Sequence, residues 1–384
     1  MKRILVFNDT MEMGGTEKLL VNLLNHLVEK GCVVTLLLPE PSVQDVLLTE
    51  LNATIQIKYI YQKQKKNISR KFFENIMIFY PRLFSKIKGI KSKDYDTAIC
   101  FKEGFYTRIF SKMKLPKILW VHNILFKRSY EIRSFKEKLA VWLNKQQIKT
   151  TQHSYVRFDT VVCVSNACLD AYLNVLYNGN KPNQDIRMIY NAVDLSKVAL
   201  KSKEFIETLP QDRTNFILIT RNSPEKRTDR LINASERLKS EGYNFHVYVL
   251  GDLSLQDANT ELEQRDLTEF ISYLGRINNP YPYILQSKWL LCVSERESFS
   301  LTLLEAMALN TPVITTDCGG PADIVDNGKY GILVENSSEG VYRGMKQVLD
   351  QPSLSVDYSR DLDKAILRFD YIEWLRKIDS MLKI

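Results

Sequence analysis

Two series of short apolar runs, separated by stretches of helical periodicity, constrain the fold of this 384-residue chain more than any other feature. The first series predicts strands at 4–7, 33–38, 55–60, 98–101, 118–121, 161–164 and 187–189. Between its first two runs, Leu19, Leu20, Leu23, Leu24, Leu27 and Val28 share one stripe of a helix predicted over 17–30, with Gly31 placed to end it. The second series predicts strands at 216–219, 247–250, 271–274, 290–293, 313–316 and 332–334. Strand, helix, strand repeated in this way makes parallel sheets with helices on their faces, and doing so twice predicts two α/β domains. A chain this long divides comfortably into two domains of roughly 150–200 residues. The expected division is 1–195, 196–360 and a closing helix over 361–384, where Ile366, Phe369, Ile372, Leu375, Ile378 and Leu382 recur at helical spacing. The polar stretch 194–214, with Pro210-Gln211-Asp212, is the expected linker.

Charge is divided unevenly between these halves. The first 195 residues carry 30 Lys and Arg against 17 Asp and Glu, and the remainder 23 against 28. Much of the excess lies in 58–93, where Lys58, Lys63, Lys65, Lys66, Arg70, Lys71, Arg82, Lys86, Lys88, Lys91 and Lys93 face the single acid Glu74. Phe72, Phe73, Phe79, Tyr80 and Phe84 are interleaved with them. The pattern suits either an anionic membrane surface or a solvated face whose apolar side packs on its own domain. Nucleic acid is not an expected partner, since no recognition motif accompanies the charge. No apolar run reaches the ~18–20 residues of a spanning helix, and Asp9 interrupts the N-terminal apolar run too early for a secretory signal. The six cysteines, at 32, 100, 163, 168, 292 and 318, show no metal-type spacing and are expected to be reduced core residues of a cytoplasmic protein.

The block from Ser294 to Thr315 carries the clearest chemistry. An apolar strand ends at Val293, a polar loop holds Glu297, and a helical pattern beginning near Ser300 and Leu301 holds Glu305. Ligands of open α/β sheets sit at strand carboxyl ends, where helix N-termini attract anions, so an acid there needs a reason. Thr302 and Glu305 also fit a capping box, which is the structural alternative for Glu305; Glu297 has no such local explanation. Elsewhere, Gly14 and Gly15 join the first strand to the first helix and permit close backbone approach to a phosphate, but the spaced glycines of a dinucleotide fingerprint are absent. Arg221 and Lys226 follow the first strand of the second series and supply a fork and a point charge suited to a diphosphate. His122, and Glu103 on the preceding strand, end strands of the first domain.

Taken together, these segments resemble glycosyltransferase family 4, retaining enzymes of the GT-B fold: the Glu-x7-Glu pair Glu297 and Glu305, the Leu-Glu-Ala-Met-Ala helix, the Gly-Gly-x-Glu turn, and Arg221 and Lys226 in the place of the family's Gly-Arg-Leu-x-x-x-Lys-Gly. The resemblance spans nearly the whole chain. It departs from the pattern at Thr220 and Arg227, which replace glycines, at Ala192, and after Gly251-Asp252. It implies two Rossmann-like domains facing across a cleft, with the C-terminal helix crossing back to the first. It implies that Glu297 holds hydroxyls of the donor sugar, that Glu305 holds the nucleotide ribose, that Gly14 and Gly15 lie against the diphosphate, and that Arg221 and Lys226 stabilise the leaving group. His122 matches the family's strand-terminal His, a hydrogen-bond partner for the donor sugar or the acceptor, with a buried, satisfied histidine as the structural alternative; Arg276 and Ile277 are implied to flank the nucleobase, and Ser300 and Leu301 to offer helix N–H groups. No metal and no cofactor besides the nucleotide-sugar donor, expected to be a UDP-sugar, is implied. The expected acceptor is polyprenyl-diphosphate-linked or an oligosaccharide, for a capsule or other surface polysaccharide assembled by a peripheral protein at the inner face of the membrane. The alternatives are a GT-B enzyme with a soluble acceptor, of sucrose- or trehalose-synthase type, and a non-catalytic GT-like binding partner.

Overall fold

The computed structural model describes residues 1–62, 74, 76, 79, 80, 82, 83, 86, 89–125, 135–180, 182–252 and 255–384; for parts of the helices Phe135–Tyr155 and Leu255–Gln264 it describes the backbone alone. Lys63, Lys65, Lys66 and Arg70, the centre of the basic stretch, lie outside the described residues. Among the described residues no helix is long and apolar enough to cross a membrane.

The chain divides into two compact units, Met1–Ile189 with Lys377–Ile384, and Tyr190–Arg376. The first is built on seven strands, β1 (Arg3–Phe7), β2 (Val33–Leu38), β3 (Gln56–Tyr59), β4 (Thr97–Cys100), β5 (Lys117–Val121), β6 (Thr160–Cys163) and β7 (Asp185–Met188), in the order β3-β2-β1-β4-β5-β6-β7. Every pairing in it is parallel. The second holds β8 (Thr214–Arg221), β9 (Phe245–Asp252), β10 (Ile271–Gly275), β11 (Trp289–Cys292), β12 (Val313–Thr316) and β13 (Ile332–Val334), again all parallel, in the order β10-β9-β8-β11-β12-β13. Helices cover both faces of such sheets, so strands such as Trp289-Leu290-Leu291-Cys292 are apolar throughout rather than alternating. Phe216, Leu218, Val247, Val249, Trp289, Leu291 and Ile314 form the heart of the second core, each side chain contributing about 2 kcal/mol by burial. In both sheets the strand order reverses at the first strand, between β1 and β4 and between β8 and β11, and these switch points are where a doubly wound fold opens a crevice.

The expected helix over 17–30 runs from Gly15 to Glu29, and Gly31 follows it at φ 78°. Two other expectations are revised. The stretch 194–214 is not all linker, because Asp194 accepts from the Lys197 N–H at 3.0 Å and caps a helix, Leu195–Lys201. Nor is 361–384 one helix. It breaks after Leu362–Ile366 into a short 3-10 turn, and Asp370, accepting from the Glu373 N–H at 2.8 Å, starts a new helix, Tyr371–Leu382. The C-terminal end of that helix lies in the first unit, where Asp379 meets His26 at 2.7 Å and Lys30 at 2.9 Å and the Leu382 carbonyl accepts from Lys2.

Candidate functional site

The switch point of the second sheet gathers the largest set of predicted residues. Lys226 and Glu297 form an ion pair, with their side chains 18% and 14% exposed, and Ser294 Oγ donates to the same Glu297 oxygen at 2.9 Å. Arg221 ends β8 with its side chain exposed, so a planar cation stands beside that pair's strand. The loop that presents Glu297 is held against the loop after β12: its N–H donates to the Cys318 carbonyl at 2.9 Å and its carbonyl accepts from Gly320 at 2.8 Å. Gly320 is obligatory, because a Cβ there would lie 2.0 Å from the Ser298 carbonyl. Arg227, in the place of the family's glycine, has φ 49°, a conformation that costs a non-glycine residue about 1 kcal/mol. It is held there by Asp229 at 2.8 Å and Glu295 at 3.6 Å.

Glu305 lies on the helix Leu301–Ala308, whose N-cap is Ser300. No capping box forms: Ser300 Oγ and Thr302 Oγ1 are 3.0 Å apart, and Glu305 instead accepts from Tyr281 Oη at 3.0 Å. Burial, followed by the Glu305 charge, pushes the Tyr281 phenol pKa well up, which keeps it a donor. Leu301 opens that helix, while Arg276, exposed after β10, is 3.7 Å from Asp252, and Ile277 follows it, partly buried. Gly251, before Asp252, cannot be replaced, because a Cβ would sit 1.7 Å from the Thr220 carbonyl on the paired strand β8.

Gly14 and Gly15 follow β1, at the switch point of the first sheet, and His122 follows β5, the strand beside β4. Glu103, buried after β4, accepts the backbone N–H groups of His122 at 2.9 Å and Asn123 at 2.7 Å. Burial pushes the Glu103 carboxyl up to about 7, against the pull of those N–H groups. Burial, with Lys102 adding to it, pushes His122 down to about 3, so its imidazole is neutral. Its Nε2 is buried and has no hydrogen-bond partner among the described residues, and the same is true of Asn8 Oδ1 at the end of β1. Asp9 is raised by burial to about 6, with Lys102 opposing. Glu17, in the first turn of the Gly15–Glu29 helix, pairs with Lys102 at 3.5 Å, and Gly14 makes room for it, since a Cβ would lie 2.3 Å from its Oε2.

Asp-x-Asp triplets, a form in which a metal–diphosphate site can be built, occur at 94–96 and 361–363. Asp96 precedes β4 at its amino end and binds Arg3 at 2.8 Å, and Asp361 pairs with Lys364 at 3.1 Å.

Four residues around these clusters escape sequence reasoning. Ser294, Thr316 and Tyr281 act through contacts that join distant segments, and no local spacing announces them. Arg230 left a signal, a charge within the apolar stripe of the helix Thr228–Ser240 beside Leu231 and Ala234.

Residues 13–197 match the model of Glycosyltransferase Family 4 and residues 201–365 that of Glycosyl transferases group 1. The structure superposes on that of Anabaena HepE in complex with UDP with a TM-score of 0.77 at 16% identity, covering 100% of both chains. The fold is GT-B. This GT-B chain is also 30% identical over 193 residues to N-acetylgalactosamine-N,N'-diacetylbacillosaminyl-diphospho-undecaprenol 4-alpha-N-acetylgalactosaminyltransferase of Campylobacter jejuni, covering 49% of this chain and 51% of that protein. It is 30% identical over 190 residues to N-acetyl-alpha-D-glucosaminyl L-malate synthase of Bacillus anthracis, covering 46% of each. The chain thus matches about half the length of these two curated relatives.

Proposed function

We propose that the chain is a retaining glycosyltransferase that moves a hexosyl or N-acetylhexosaminyl residue from a nucleotide sugar, a UDP-sugar, to a lipid-linked or oligosaccharide acceptor in surface-polysaccharide assembly. The observation that carries this reading is the Lys226–Glu297 ion pair at the second sheet's switch point, with Arg221 at the end of the neighbouring strand β8. Transfer from a nucleotide sugar leaves a diphosphate whose charge grows as the bond breaks. Arg221, Lys226 and the N–H groups at the start of the Leu301–Ala308 helix meet that charge without reorganising, a preorganisation that lowers the barrier and performs the task a metal ion has in other transferases. The Glu297 carboxylate, an acceptor with two oxygens, holds donor hydroxyls, and Glu305 with Tyr281 holds the ribose. A neutral His122 with a free Nε2 is suited to a sugar hydroxyl rather than to a phosphate.

UDP in the Anabaena crystals supports the donor class, and the undecaprenyl-diphosphate in the Campylobacter relative's name supports the lipid-linked acceptor. The basic stretch 58–93 supports an anionic membrane surface through its composition alone. A soluble acceptor is the second reading, supported by the malate in the Bacillus relative's name. Incubation with UDP-, GDP- and ADP-sugars, with lipid-linked or soluble acceptors and with EDTA throughout, tests the proposal. Transfer from one UDP-sugar with the anomeric configuration kept is expected. Neither transfer nor hydrolysis of any nucleotide sugar would contradict it, and an absolute requirement for a divalent cation would remove its metal-free part.

A further inference from the structure

We infer that Arg230 is a positioning residue that sets the carboxylate of Glu297, acting through the backbone turn that leaves β11. Arg230 is buried, at 4% exposure, and among the described residues its Nη atoms donate to no carboxylate. Nη1 instead donates to the Val293 carbonyl at 3.1 Å, the Ser294 carbonyl at 3.2 Å and Asn336 Oδ1 at 2.6 Å, and Nη2 donates to the Asn336 carbonyl at 3.2 Å. Taking a guanidinium out of water costs several kcal/mol, and an apolar side chain of the same volume would be cheaper to bury. The fork here meets consecutive carbonyls at the point where the chain leaves the sheet toward Glu297.

Other donors complete the clamp. Thr316 Oγ1 donates to the Ser294 carbonyl at 2.6 Å, and Asn336 Nδ2 donates to the Glu295 carbonyl at 2.8 Å. Ser294, held at its backbone in this way, aims its Oγ at Glu297 Oε1 at 2.9 Å, the oxygen that also takes Lys226. Arg230 thereby reaches the Glu297 carboxylate through Ser294, beside the backbone bonds of Glu297 to Cys318 and Gly320 and its pair with Lys226. Preorganisation of this kind acts on turnover, because a misaimed carboxylate loses its contact with the reacting sugar while Glu305, the residue proposed for the ribose, lies on the Leu301–Ala308 helix.

This inference rests on the reading that Glu297 touches the donor sugar. The test measures kcat, donor KM, UDP affinity and melting temperature for Arg230→Met, Asn336→Ala, Ser294→Ala, the Asn336→Ala/Ser294→Ala double variant and Glu297→Ala. Arg230→Met should lower kcat about 10–100-fold and Asn336→Ala about 3–10-fold, with UDP affinity changed less than about twofold. Because Asn336 holds the Arg230 fork and the Glu295 carbonyl while Ser294 carries the contact to Glu297, both losses converge on the one turn that bears Glu297, and the double variant should lose less than the product of the two single losses. A full kcat in Asn336→Ala, or losses that multiply in the double variant, overturns the inference, and neither result needs Arg230→Met to fold. If Glu297→Ala keeps full turnover, the reading of Glu297 itself fails; if Glu297→Ala is inactive while the other variants are not, only the clamp fails.

Discussion

The two strand-end clusters, one per unit, occupy the same place in the same topology and are built in opposite electrostatic styles. In the second unit the groups stand as ions: Lys226 pairs with Glu297, and Arg221 ends its strand in solvent. In the first, burial drives Glu103, Asp9 and His122 toward their neutral forms, and Glu103 spends its oxygens on backbone N–H groups. A doubly wound sheet therefore fixes where side chains converge, and the surrounding burial decides whether they carry charge or hydrogen-bond as neutral groups. The first style fits a departing diphosphate, whose charge must be met. The second fits hydroxyls, for which His122 Nε2 and Asn8 Oδ1 stand buried without a hydrogen-bond partner among the described residues.

The charged cluster of the second unit should give the largest effect. Lys226→Ala and Arg221→Ala should each lower turnover about 10²–10³-fold in a transfer assay, the scale for one lost preorganised charge stabiliser. A loss of under about threefold in both would mean that the ion pair serves the fold alone.

The buried cluster offers the next largest effect. Because the folded carboxyl of Glu103 sits near 7, above its unfolded value, the folded state binds the extra proton between about pH 4.5 and 7. Stability from this group is present below that window and is lost as pH rises through it. Denaturant unfolding of the wild type against Glu103→Gln should show the wild type losing ground by up to about 3 kcal/mol as pH rises from 4.5 to 7.5. A difference independent of pH would mean that Glu103 is not held neutral. The smallest effect, per residue, concerns the basic balance of the first unit. Reversing Lys63, Lys65, Lys66 and Arg70 to Glu should release the protein from anionic liposomes, about 1 kcal/mol per site, with wild-type binding falling as salt rises. Wild type that never sediments with anionic liposomes at low salt would favour the soluble acceptor.

Much of this architecture is legible in the sequence, because parallel strands buried on both faces must be apolar runs and the helices between them must be amphipathic. The segments at 4–7, 33–38 and 313–316 show this most plainly. What the sequence withholds is order. Nothing local tells β1 to lie between β2 and β4, so the switch points, and with them the convergence of Lys226 on Glu297, come from topology. Glu305 shows how a local rule misleads: Thr302 and Glu305 fit a capping box, yet the helix starts one residue before Thr302 and Glu305 is taken by Tyr281 from another segment. The break before Tyr371 has a similar cause, since Asp370 bridges to Val193, whose N–H donates to the Phe369 carbonyl at 3.1 Å, and the backbone there is drawn out of the helix.

The central claim is that Glu305 and Glu297, eight positions apart, hold different parts of one nucleotide sugar. Calorimetric titration of UDP into the wild type, Glu305→Ala and Glu297→Ala, with turnover measured on the same preparations, tests it most directly. Glu305→Ala should weaken UDP binding by about tenfold or more, while Glu297→Ala should bind UDP as the wild type does and lose turnover. Unchanged UDP affinity in Glu305→Ala, or its loss in Glu297→Ala with turnover intact, would contradict it.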